Sequence, residues 1–457
     1  MLHKTTEAAG KVTSVYSEDI INKRSFKGML KKYLNPGRQL VLGFALVILT
    51  GAILLTLPIT AMPGVKVRFV DALFTSTSAV CVTGLVAIDT ADNFNVFGRT
   101  VVATLIQIGG LGVASVGVAF LIAAGRKIGI HERILIKEAM NLNSLKGVIK
   151  LVKSILLITL CFEFVGMILS FIVFAKDYTP LSALGISAFH SISAFNNAGF
   201  DILGGFQSLI SYRDNVLLNL TTSGLIIMGG LGFCVIKEII TVRSFKAFSM
   251  NTKIVISMTV FLLTIGTILL KMTENISWLG AFFQSTSART AGFNTYAIGG
   301  FSSAGLFILV ILMFIGASPG STGGGIKTTT AFTMFKYITS VATNRPCSVF
   351  RRKIPTESIM KAFVIAFLSL FLVCINTFLI SIIEDQYTFM QILFEVVSGF
   401  GTVGLSTGIT PFLSDASKII LIFTMFLGRL GPLTIACIWV YKPSTSVSYA
   451  EERITIG

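Results

Sequence analysis

The sequence predicts an all-α polytopic membrane protein built from four related repeats. Of its 457 residues, 53% are hydrophobic and only 13% are charged, whereas a soluble domain carries about 25% charged residues. Apolar runs that reach the roughly 20 residues needed to span a bilayer recur along the whole chain. These runs lie at residues 39–60, 98–124, 151–175, 216–240, 252–271, 303–341, 358–383 and 417–441. Eight spans would put both termini on the same side of the membrane.

Basic residues alternate along the chain in step with these spans. Eight Lys and Arg lie in residues 1–38, seven in 126–153, four in 237–253 and seven in 327–361. Because loops rich in Lys and Arg stay in the cytoplasm, the pattern predicts a multi-pass protein of the cell membrane with both termini cytoplasmic. The net charge of +16 then reflects membrane topology, and no nucleic-acid partner is expected. The basic N-terminal arm is expected to contact anionic membrane lipid or a cytoplasmic partner.

Residues that usually carry enzyme chemistry are scarce. The six cysteines have no CxxC spacing, which argues against a zinc site or a disulfide framework. No Ser/His/Asp, HExxH or paired-Asp motif has a workable spacing. The stretch GASPGSTGGGIKTTT at 316–330 resembles a phosphate-binding loop, but Ile326 separates Gly325 from Lys327 and no βαβ pattern surrounds it. We therefore expect neither an enzyme nor a covalently bound cofactor.

A short polar motif recurs once between the two spans of each pair. It reads STSAVCVTGL at 76–85, SISAFNNAGF at 191–200, QSTSARTAGF at 284–293 and VVSGFGTVGL at 396–405. In each copy a Ser or Thr precedes a Gly by six residues; the pairs are Ser78 and Gly84, Ser193 and Gly199, Thr286 and Gly292, and Ser398 and Gly404. An apolar stretch too short to cross a bilayer comes before each motif. Each unit is therefore predicted to be a membrane helix, a short re-entrant helix, an extended strand and a second membrane helix.

Four such units predict a pseudo-fourfold arrangement around a single pore. Glycine permits the backbone angles that turn successive carbonyls inward, and rings of carbonyls can replace the water shell of a cation. The C-terminal end of each short helix adds partial negative charge facing the cavity. We therefore expect the four strands to bind a monovalent cation. The predicted filter residues are Val82, Thr83, Gly84, Asn197, Ala198, Gly199, Thr290, Ala291, Gly292, Thr402, Val403 and Gly404.

The predicted boundaries follow from the spans and the basic segments. The four repeats are expected at residues 39–125, 151–240, 252–341 and 358–441. Cytoplasmic segments are expected at residues 1–38, 126–150, 241–251, 342–357 and 442–457.

On these motifs the sequence resembles the Trk/Ktr/HKT superfamily of potassium transporters, and most closely its KtrB-type membrane subunit. The resemblance extends over residues 39–441 and includes QIGGLG at 107–112, HSISAFNNAGF at 190–200, RTAGFN at 289–294 and FLGRLGP at 426–432. It implies potassium uptake by gated permeation, as the ion-translocating subunit of a Ktr-type system. K+ would be bound at the filter residues, with Na+ a candidate activator. It also implies a homodimer and a cytoplasmic KtrA-type regulatory ring that binds nucleotide.

The resemblance also implies a gate within the membrane. In the family, the segment equivalent to residues 316–325 lies beneath the filter and controls flow, and a loop rich in Gly, Ser and Thr is soft enough to move. Arg429 is expected to help this loop close the pore; its alternative role is a buried ion pair or a cap on backbone carbonyls. The predicted gate residues are Gly316, Ala317, Ser318, Pro319, Gly320, Ser321, Thr322, Gly323, Gly324, Gly325, Lys327 and Arg429.

Three further polar residues lie within the predicted membrane part. Arg289 is hypothesised to pair with Glu395, since a bare arginine facing the pore would repel a cation. Glu163 is interpreted as a structural carboxylate, with a proton relay as the alternative.

Two other functions remain open at this point. One is a sodium-permeable member of the same superfamily, although a glycine at the centre of every filter strand favours potassium in that family. The other is a secondary transporter for an organic solute, in which interrupted helices should occur in matched pairs. The interruption at 316–325 has no equally marked counterpart in the sequence, which argues against this second alternative.

Overall fold

The computed structural model of the protein describes residues 36–126, 128–140 and 147–431. Within these ranges nearly every element is a helix, and the two strands form one short hairpin. The predicted N-terminal arm up to residue 35, the end of the last predicted span and the predicted segment 442–457 lie outside the described residues. The all-α prediction is confirmed over the part of the chain that contains the four motifs.

The first repeat has the predicted order of a long helix, a short helix and a second membrane helix. α1 (Pro36–Thr56) has 21 residues, enough to cross a bilayer, whereas α2 (Phe69–Val80) has only 12. The short α3 (Thr90–Asn93) follows the filter strand, and then come α4 (Val96–Leu111) and α5 (Val113–Ala123). The short helix and its strand therefore turn back between two membrane helices.

The second repeat follows the same plan. α6 (Ile130–Ala139) leads into it, and α7 (Val148–Phe174) is its long helix, with 27 residues. α8 (Pro180–Phe195) is the short helix; Pro180 at its first position suits a helix start because the ring fixes φ and the missing N–H is not needed there. The second membrane helix consists of α9 (Val216–Leu231) and α10 (Phe233–Val242).

The third repeat differs in its second membrane helix. α11 (Met250–Thr273) is the long helix and α12 (Trp278–Ser287) the short one. The following helix is divided into α13 (Ser303–Phe314) and α14 (Thr328–Ala342), and the glycine-rich loop lies between them. The long predicted span at 303–341 is therefore two helices and a loop.

The fourth repeat begins after a small hairpin. β1 (Ser348–Val349) pairs antiparallel with β2 (Arg352–Lys353). α15 (Thr356–Ile383) is the long helix, α16 (Phe389–Gly401) the short one and α17 (Asp415–Leu430) the start of the second membrane helix.

The repeats form a closed ring through contacts that recur in order. Each short helix packs against the second membrane helix of the preceding repeat: α8 against α4, α12 against α9, and α16 against α13. The short helix of the first repeat, α2, packs in the same way against α17 of the last repeat. The pseudo-fourfold prediction is therefore confirmed.

Two of the predicted spans are sharply bent. α4 and α5 meet at 101°, and α9 and α10 meet at 98°. The breaks fall at Gly112, with φ 83° and ψ 133°, and at Gly232, with φ 92° and ψ 139°, values that residues with a side chain avoid. The predicted spans at 98–124 and 216–240 are therefore each two helices that meet at a single glycine, whereas the interruption at 316–325 is a loop between α13 and α14.

The count of spans changes accordingly. Among the described residues, four helices are long and apolar enough to cross a membrane, and up to six if each bent pair counts as one span. The two remaining predicted spans are α13 with α14, which the loop divides, and α17, whose predicted continuation lies beyond the described residues.

The centre of the ring is buried although it is polar. Residues 74–85 are all buried, as are 193–200, 283–293 and 394–405, and many of their side chains are Ser and Thr. Non-helical polar backbone at membrane depth is tolerated where protein surrounds it or where it lines a water-filled path. We call the side where residues 126–150, 241–251 and 342–357 connect the repeats the linker side, and the opposite side the cap side.

Candidate ion pathway

Each strand leaves its short helix by a change in backbone handedness. The first residue of each strand has a positive φ: the values are 57° at Val82, 59° at Asn197, 72° at Thr290 and 49° at Thr402. The glycine two residues later is also positive: the values are 88° at Gly84, 70° at Gly199, 81° at Gly292 and 94° at Gly404. The residue between them is not left-handed in any strand. This alternation lets successive carbonyls face the same side, as a carbonyl filter requires.

The four glycines form a closed cycle of close contacts. A Cβ built on each glycine would collide with a carbonyl oxygen of the next strand; the separations are 2.4 Å from Gly84 to Ala198 O, 2.6 Å from Gly199 to Ala291 O, 2.5 Å from Gly292 to Val403 O and 2.2 Å from Gly404 to Thr83 O. The last contact returns to the first strand. The strands therefore approach one another around a single constriction, and no side chain fits at these four positions.

Serine hydroxyls hold the first and fourth strands from behind. Gly84 N donates to Ser78 Oγ at 3.0 Å, and Gly404 N donates to Ser398 Oγ at 3.1 Å. Both pairs are among those predicted from the six-residue spacing. Because the amide N–H groups bond backwards into the scaffold, the carbonyls remain available on the other side of the strand.

The third strand is held by a backbone oxygen. Gly292 N donates to Ser287 O at 3.4 Å and Ala291 N to the same oxygen at 2.9 Å, whereas Thr286 Oγ1 donates to Phe282 O within the helix. The hydroxyl of Thr286 therefore does not hold Gly292 as that of Ser78 holds Gly84.

The glycine-rich loop is held against the break in the second repeat. A parallel bridge between Ile315 and Ile326 closes its base. Ser318 N donates to Gly230 O at 3.0 Å, and Thr322 N donates to Gly229 O at 3.3 Å. The loop therefore lies in the space that the bend between α9 and α10 opens.

The tip of the loop touches three filter strands at their first residue. Gly324 N donates to Thr402 Oγ1 at 2.9 Å. Thr322 Oγ1 lies 3.2 Å from the side-chain amide of Asn197. The third contact is with Thr290: a Cβ on Gly323 would be only 2.0 Å from Thr290 Oγ1. The loop therefore lies across the linker-side end of the filter.

Two cations fix the loop in this position. Arg429 donates from Nη1 to Thr322 O and from Nη2 to Gly109 O. Lys327 Nζ donates to Gly323 O at 2.6 Å. Arg429 forms no ion pair with any described carboxylate, so of its two alternative roles the ion pair is absent and the carbonyl contacts are present. Through Arg429, which belongs to the fourth repeat, the loop is also tied to the first.

Comparison with known proteins agrees with this architecture. A family model described as "TrkH: Cation transport protein" matches residues 44–449, a range that includes all four filter strands and the loop. The chain belongs to the TrkH family. Its constriction, loop and buried arginine are therefore features of a cation transport protein.

Curated relatives match this TrkH-family chain over nearly its whole length. The Ktr system potassium uptake protein B of Bacillus subtilis (strain 168) is 39% identical over 435 residues, which cover 92% of this chain and 97% of that protein. The potassium/sodium uptake protein NtpJ of Enterococcus hirae is 36% identical over 449 residues, covering 94% and 99%. The Ktr system potassium uptake protein D of Bacillus subtilis (strain 168) is 35% identical over 447 residues, covering 94% and 99%.

A solved structure has the same fold. The potassium transporter TrkH from Vibrio parahaemolyticus superposes with a TM-score of 0.66 and covers 87% of this chain, and the superposition includes 84% of that structure. The identity is 20%.

A second glycine motif of this TrkH-family chain was not recognised as a repeat from its sequence. Gly109, Gly229 and Gly428 each pack on the end of a short helix; a Cβ would lie 2.0 Å from Val80 O, 1.9 Å from Phe195 O and 2.0 Å from Phe400 O respectively. Each is followed after two residues by the glycine at which the helix ends, in GGLG at 109–112, GGLG at 229–232 and GRLG at 428–431. Alignment of the apolar runs by these glycines would have predicted the breaks.

The hypothesised pair of Arg289 and Glu395 is wrong. Both oxygens of Glu395 accept bonds from the segment that follows its own strand, from Ser406 Oγ at 2.8 Å and from Thr410 Oγ1 at 2.6 Å among others. Arg289 is buried and forms no ion pair with any residue in the described ranges. It lies instead beside Gly230 in a gap between the second and third repeats. The carboxylate is satisfied locally and has no need of a distant arginine.

Carboxylates lie on the cap side of the second strand. Asp201 follows Gly199 by two residues, and its Oδ1 accepts from Leu203 N at 3.0 Å. Burial raises the pKa of Asp201 to about 6; the hydrogen bond from Leu203 opposes this rise, and the neighbouring Asp89 and Asp92 carboxylates add to it. Negative charge at this end of the filter attracts cations to the strand.

Proposed function

We propose that this chain is the ion-translocating subunit of a Ktr-type system and takes up potassium across the cytoplasmic membrane by selective, gated permeation. The observation that carries the proposal is the closed cycle of the four filter glycines, in which each strand abuts a carbonyl of the next. A ring of carbonyls at a constriction substitutes for the hydration shell of a cation. The printed names of the Bacillus relatives, both Ktr system potassium uptake proteins, support potassium as the ion.

The proposed K+ ligands are carbonyls of the three residues at the centre of each strand. Support comes from the alternating φ values of these residues and from the serine bonds behind the first and fourth strands. Glycine at all four centres favours potassium over sodium, since a serine in the first strand is the feature that accompanies sodium preference in the family. The proposed driving force is the electrochemical gradient of the ion.

The loop at 316–325 is the proposed gate, with Arg429 and Lys327 as the residues that hold it shut. Its contacts with the first residue of three strands support a closed pore on the linker side. All of these contacts are hydrogen bonds or glycine packing, which a loop can break and remake at small cost.

Charge distribution and the names of the relatives bear on topology and partners. The alternation of basic segments supports cytoplasmic termini and a cytoplasmic linker side. The word "system" in the names of the Ktr relatives supports a multi-component assembly. We propose a homodimer with a nucleotide-binding KtrA-type ring, and residues 126–150, 241–253 and 341–356 are its expected docking segments.

One observation favours a second candidate, a pathway that admits sodium as well. The Enterococcus relative is named a potassium/sodium uptake protein. The same filter would then discriminate less strictly between the two ions.

Uptake by cells that lack their own potassium systems tests the proposal. The chain is expressed alone and with a regulatory subunit, and rubidium uptake is measured with potassium and sodium as competitors. Saturable uptake that potassium blocks better than sodium is expected. Equal competition by the two ions would support the second candidate, and no flux of either ion with the protein present in the membrane would refute both.

A further inference from the structure

A buried carboxylate in the second repeat is linked to the filter by one side chain. Glu163 of α7 is 8% exposed. Its Oε1 accepts a hydrogen bond from Asn196 Nδ2 at 3.0 Å. Asn196 directly precedes Asn197, the first residue of the second strand. This contact holds the point where the short helix becomes the strand.

The two amide hydrogens of Asn196 face three acceptors. Besides Glu163 Oε1, Asn196 Nδ2 lies within hydrogen-bond distance of Gln107 Oε1, at 2.8 Å, and of Ile192 O, at 2.9 Å, so its two hydrogens are shared among the three. These partners belong to three different helices, α7, α4 and α8. On its other side the amide oxygen of Asn196 stands against Gly110, where a Cβ would lie 2.0 Å away. Asn196 therefore has little freedom to turn while these contacts persist.

Comparison of the repeats shows that the fold does not require a carboxylate at the position of Glu163. In three repeats a serine of the short helix donates to a backbone oxygen of the long helix: Ser76 to Ile48 O at 2.7 Å, Ser191 to Glu163 O at 2.6 Å and Ser285 to Leu263 O at 3.1 Å. A glycine three residues further along packs on that serine in each case, and these glycines are Gly51, Gly166 and Gly266. Ile48, Glu163 and Leu263 thus occupy equivalent positions. Two of them are apolar, so the helix packing itself does not require a carboxylate there.

The same asparagine is connected to the gate. Gly110 adjoins it, and the carbonyls of Gly109 and Gly110 accept from Arg429 Nη2, the latter at 3.4 Å. A shift of Asn196 would therefore disturb both the second strand and the backbone that holds Arg429.

We propose that Glu163 is a positioning residue for the second filter strand. It acts through Asn196 as a hydrogen-bond acceptor and thereby contributes to discrimination between potassium and sodium. The inference rests on the proposed function and adds to it a residue that does not face the pore. This role requires only a side-chain oxygen that accepts the hydrogen bond from Asn196. Glutamine, which is uncharged and has the same length, should therefore preserve it.

Replacement of Glu163 by leucine, glutamine and methionine tests this role. Leucine reproduces the apolar residue of the first and third repeats, and the site can accept it because Glu163 borders a cavity of about 470 Å³ lined by apolar groups such as Leu160 and Phe164. Methionine repeats the comparison with a less branched side chain. Phe164→Leu, on the exposed side of the same helix turn, is the matched control. Rubidium uptake is measured with potassium and with sodium as competitors, and thermal unfolding of the purified protein checks the fold.

We expect sodium to compete with rubidium uptake about fivefold better, relative to potassium, in Glu163→Leu than in the parent chain. A fivefold change corresponds to the free energy of about one hydrogen bond. Glu163→Gln and Phe164→Leu should stay near the parent ratio. In an Asn196→Ala background, Glu163→Leu should have little further effect, because the residue through which it acts is gone.

An unchanged ratio in folded Glu163→Leu and Glu163→Met proteins would overturn the inference, and so would an equal change in Glu163→Gln. If the parent chain itself carries no potassium, the proposed function fails and the inference fails with it. Potassium uptake by the parent with an unchanged ratio in the variants would refute the inference alone.

Discussion

The filter glycines are required by two separate constraints at the scale of single residues. Gly84 has φ 88°, a backbone angle that L side chains rarely adopt, and a Cβ there would be 2.4 Å from Ala198 O. The first constraint is a matter of backbone strain and would apply in any loop. The second exists only because four strands meet, so it relates the residue directly to the constriction.

Gly84→Ser should relax selectivity. The added side chain must push the second strand away from the first, which widens the ring and weakens the substitution of carbonyls for water. We expect the preference for potassium over sodium to fall by about tenfold, equivalent to about 1.4 kcal/mol, in competition assays of rubidium uptake.

Gly64→Ser is the matched control for this prediction. Gly64 has φ 82°, but no atom lies within 4 Å of the position that a Cβ would take there. The control carries similar backbone strain without contact to a strand. If both variants changed selectivity equally, strain and not the ring would be the cause.

Asp201 predicts a pH dependence of uptake. Its pKa is raised to about 6, so the carboxyl is neutral below that pH and charged above it. Uptake at low potassium concentration should therefore rise by about threefold between pH 5 and pH 7, because the charged form attracts the cation. The gain should shrink at high ionic strength, which screens such attraction.

Asp201→Asn should flatten this pH profile, whereas Asp214→Asn should leave it intact. Asp214 is highly exposed and pairs with the adjacent Arg213 at 3.2 Å. Initial rates of rubidium uptake in buffers of constant ionic strength provide the measurement. A profile that keeps its slope in Asp201→Asn would assign the titration to another group.

Repeat spacing was the sequence signal that pointed to particular residues. The four glycines recur at a fixed distance from a Ser or Thr, and all four lie in one cycle, while their role in binding an ion stays a prediction. The pairing of Arg289 with Glu395 had no such support, since charge alone suggested it. The structure satisfies Glu395 with hydroxyl and amide donors, and composition gives no means to choose between these partners and an arginine.

At the scale of elements, the divided helix of the third repeat is the part most able to move. The loop at 316–325 is held by backbone hydrogen bonds and by Arg429 and Lys327. Apolar packing contributes little because most of its side chains are Gly, Ser or Thr. Segments with few buried apolar contacts open at lower free-energy cost than helices do.

Deletion of residues 317–324 should raise the basal flux. The deletion removes the contacts with Thr402 and Thr290 while leaving α13 and α14 in place. Arg429→Gln should have a smaller effect in the same direction, because it removes the hydrogen bonds to Thr322, Gly109 and Gly110 but leaves the loop in place. Rubidium uptake without the regulatory subunit measures both.

Gly224→Ala provides the control for the loop variants. It lies in α9, and no atom lies within 4 Å of an added Cβ. Basal flux in this control should match the parent chain. An unchanged flux in the loop deletion, with the protein folded and in the membrane, would remove the loop from the gate.

The bent helices show where prediction of elements from sequence reaches its limit. The runs at 98–124 and 216–240 are predominantly apolar, so hydropathy predicts one span in each case. The bend depends on Gly112 and Gly232, which adopt left-handed φ angles because other glycines, Gly109 and Gly229, let the helix approach the short helix closely. Such a bend is a tertiary effect, and only its glycine spacing is visible in the sequence.

At the scale of the whole molecule, the ring has one seam that no linker bridges. Successive repeats are joined by the chain, but the fourth meets the first through non-covalent contacts, among them those between α17 and α2 and the hydrogen bond from Arg429 to Gly109. All ion pairs between repeats among the described residues lie at this seam. Lys418 Nζ lies 2.9 Å from Asp71 Oδ1. The guanidinium of Arg68 lies 2.8 Å from Asp71 and 2.9 Å from Asp415, so it bridges the two carboxylates.

Lys418→Met should therefore weaken the closure of the ring. The side chains of Lys418 and Asp71 are only 5% and 7% exposed, and removal of one partner of a buried ion pair costs about 3–5 kcal/mol when the other charge is left unpaired. Because Arg68 still pairs with Asp71 at 2.8 Å, we expect a loss of stability below this range. Asp71→Asn in the same chain should recover part of this loss, since no charge then remains unpaired.

Lys361→Met is the control for this prediction. Lys361 and its partner Glu357 are 61% and 78% exposed, and such pairs contribute less than about 1 kcal/mol. Thermal unfolding of the purified protein measures all three. Equal losses for the buried and exposed pairs would mean that the apolar contacts of α17 and α2 close the ring without help from these charges.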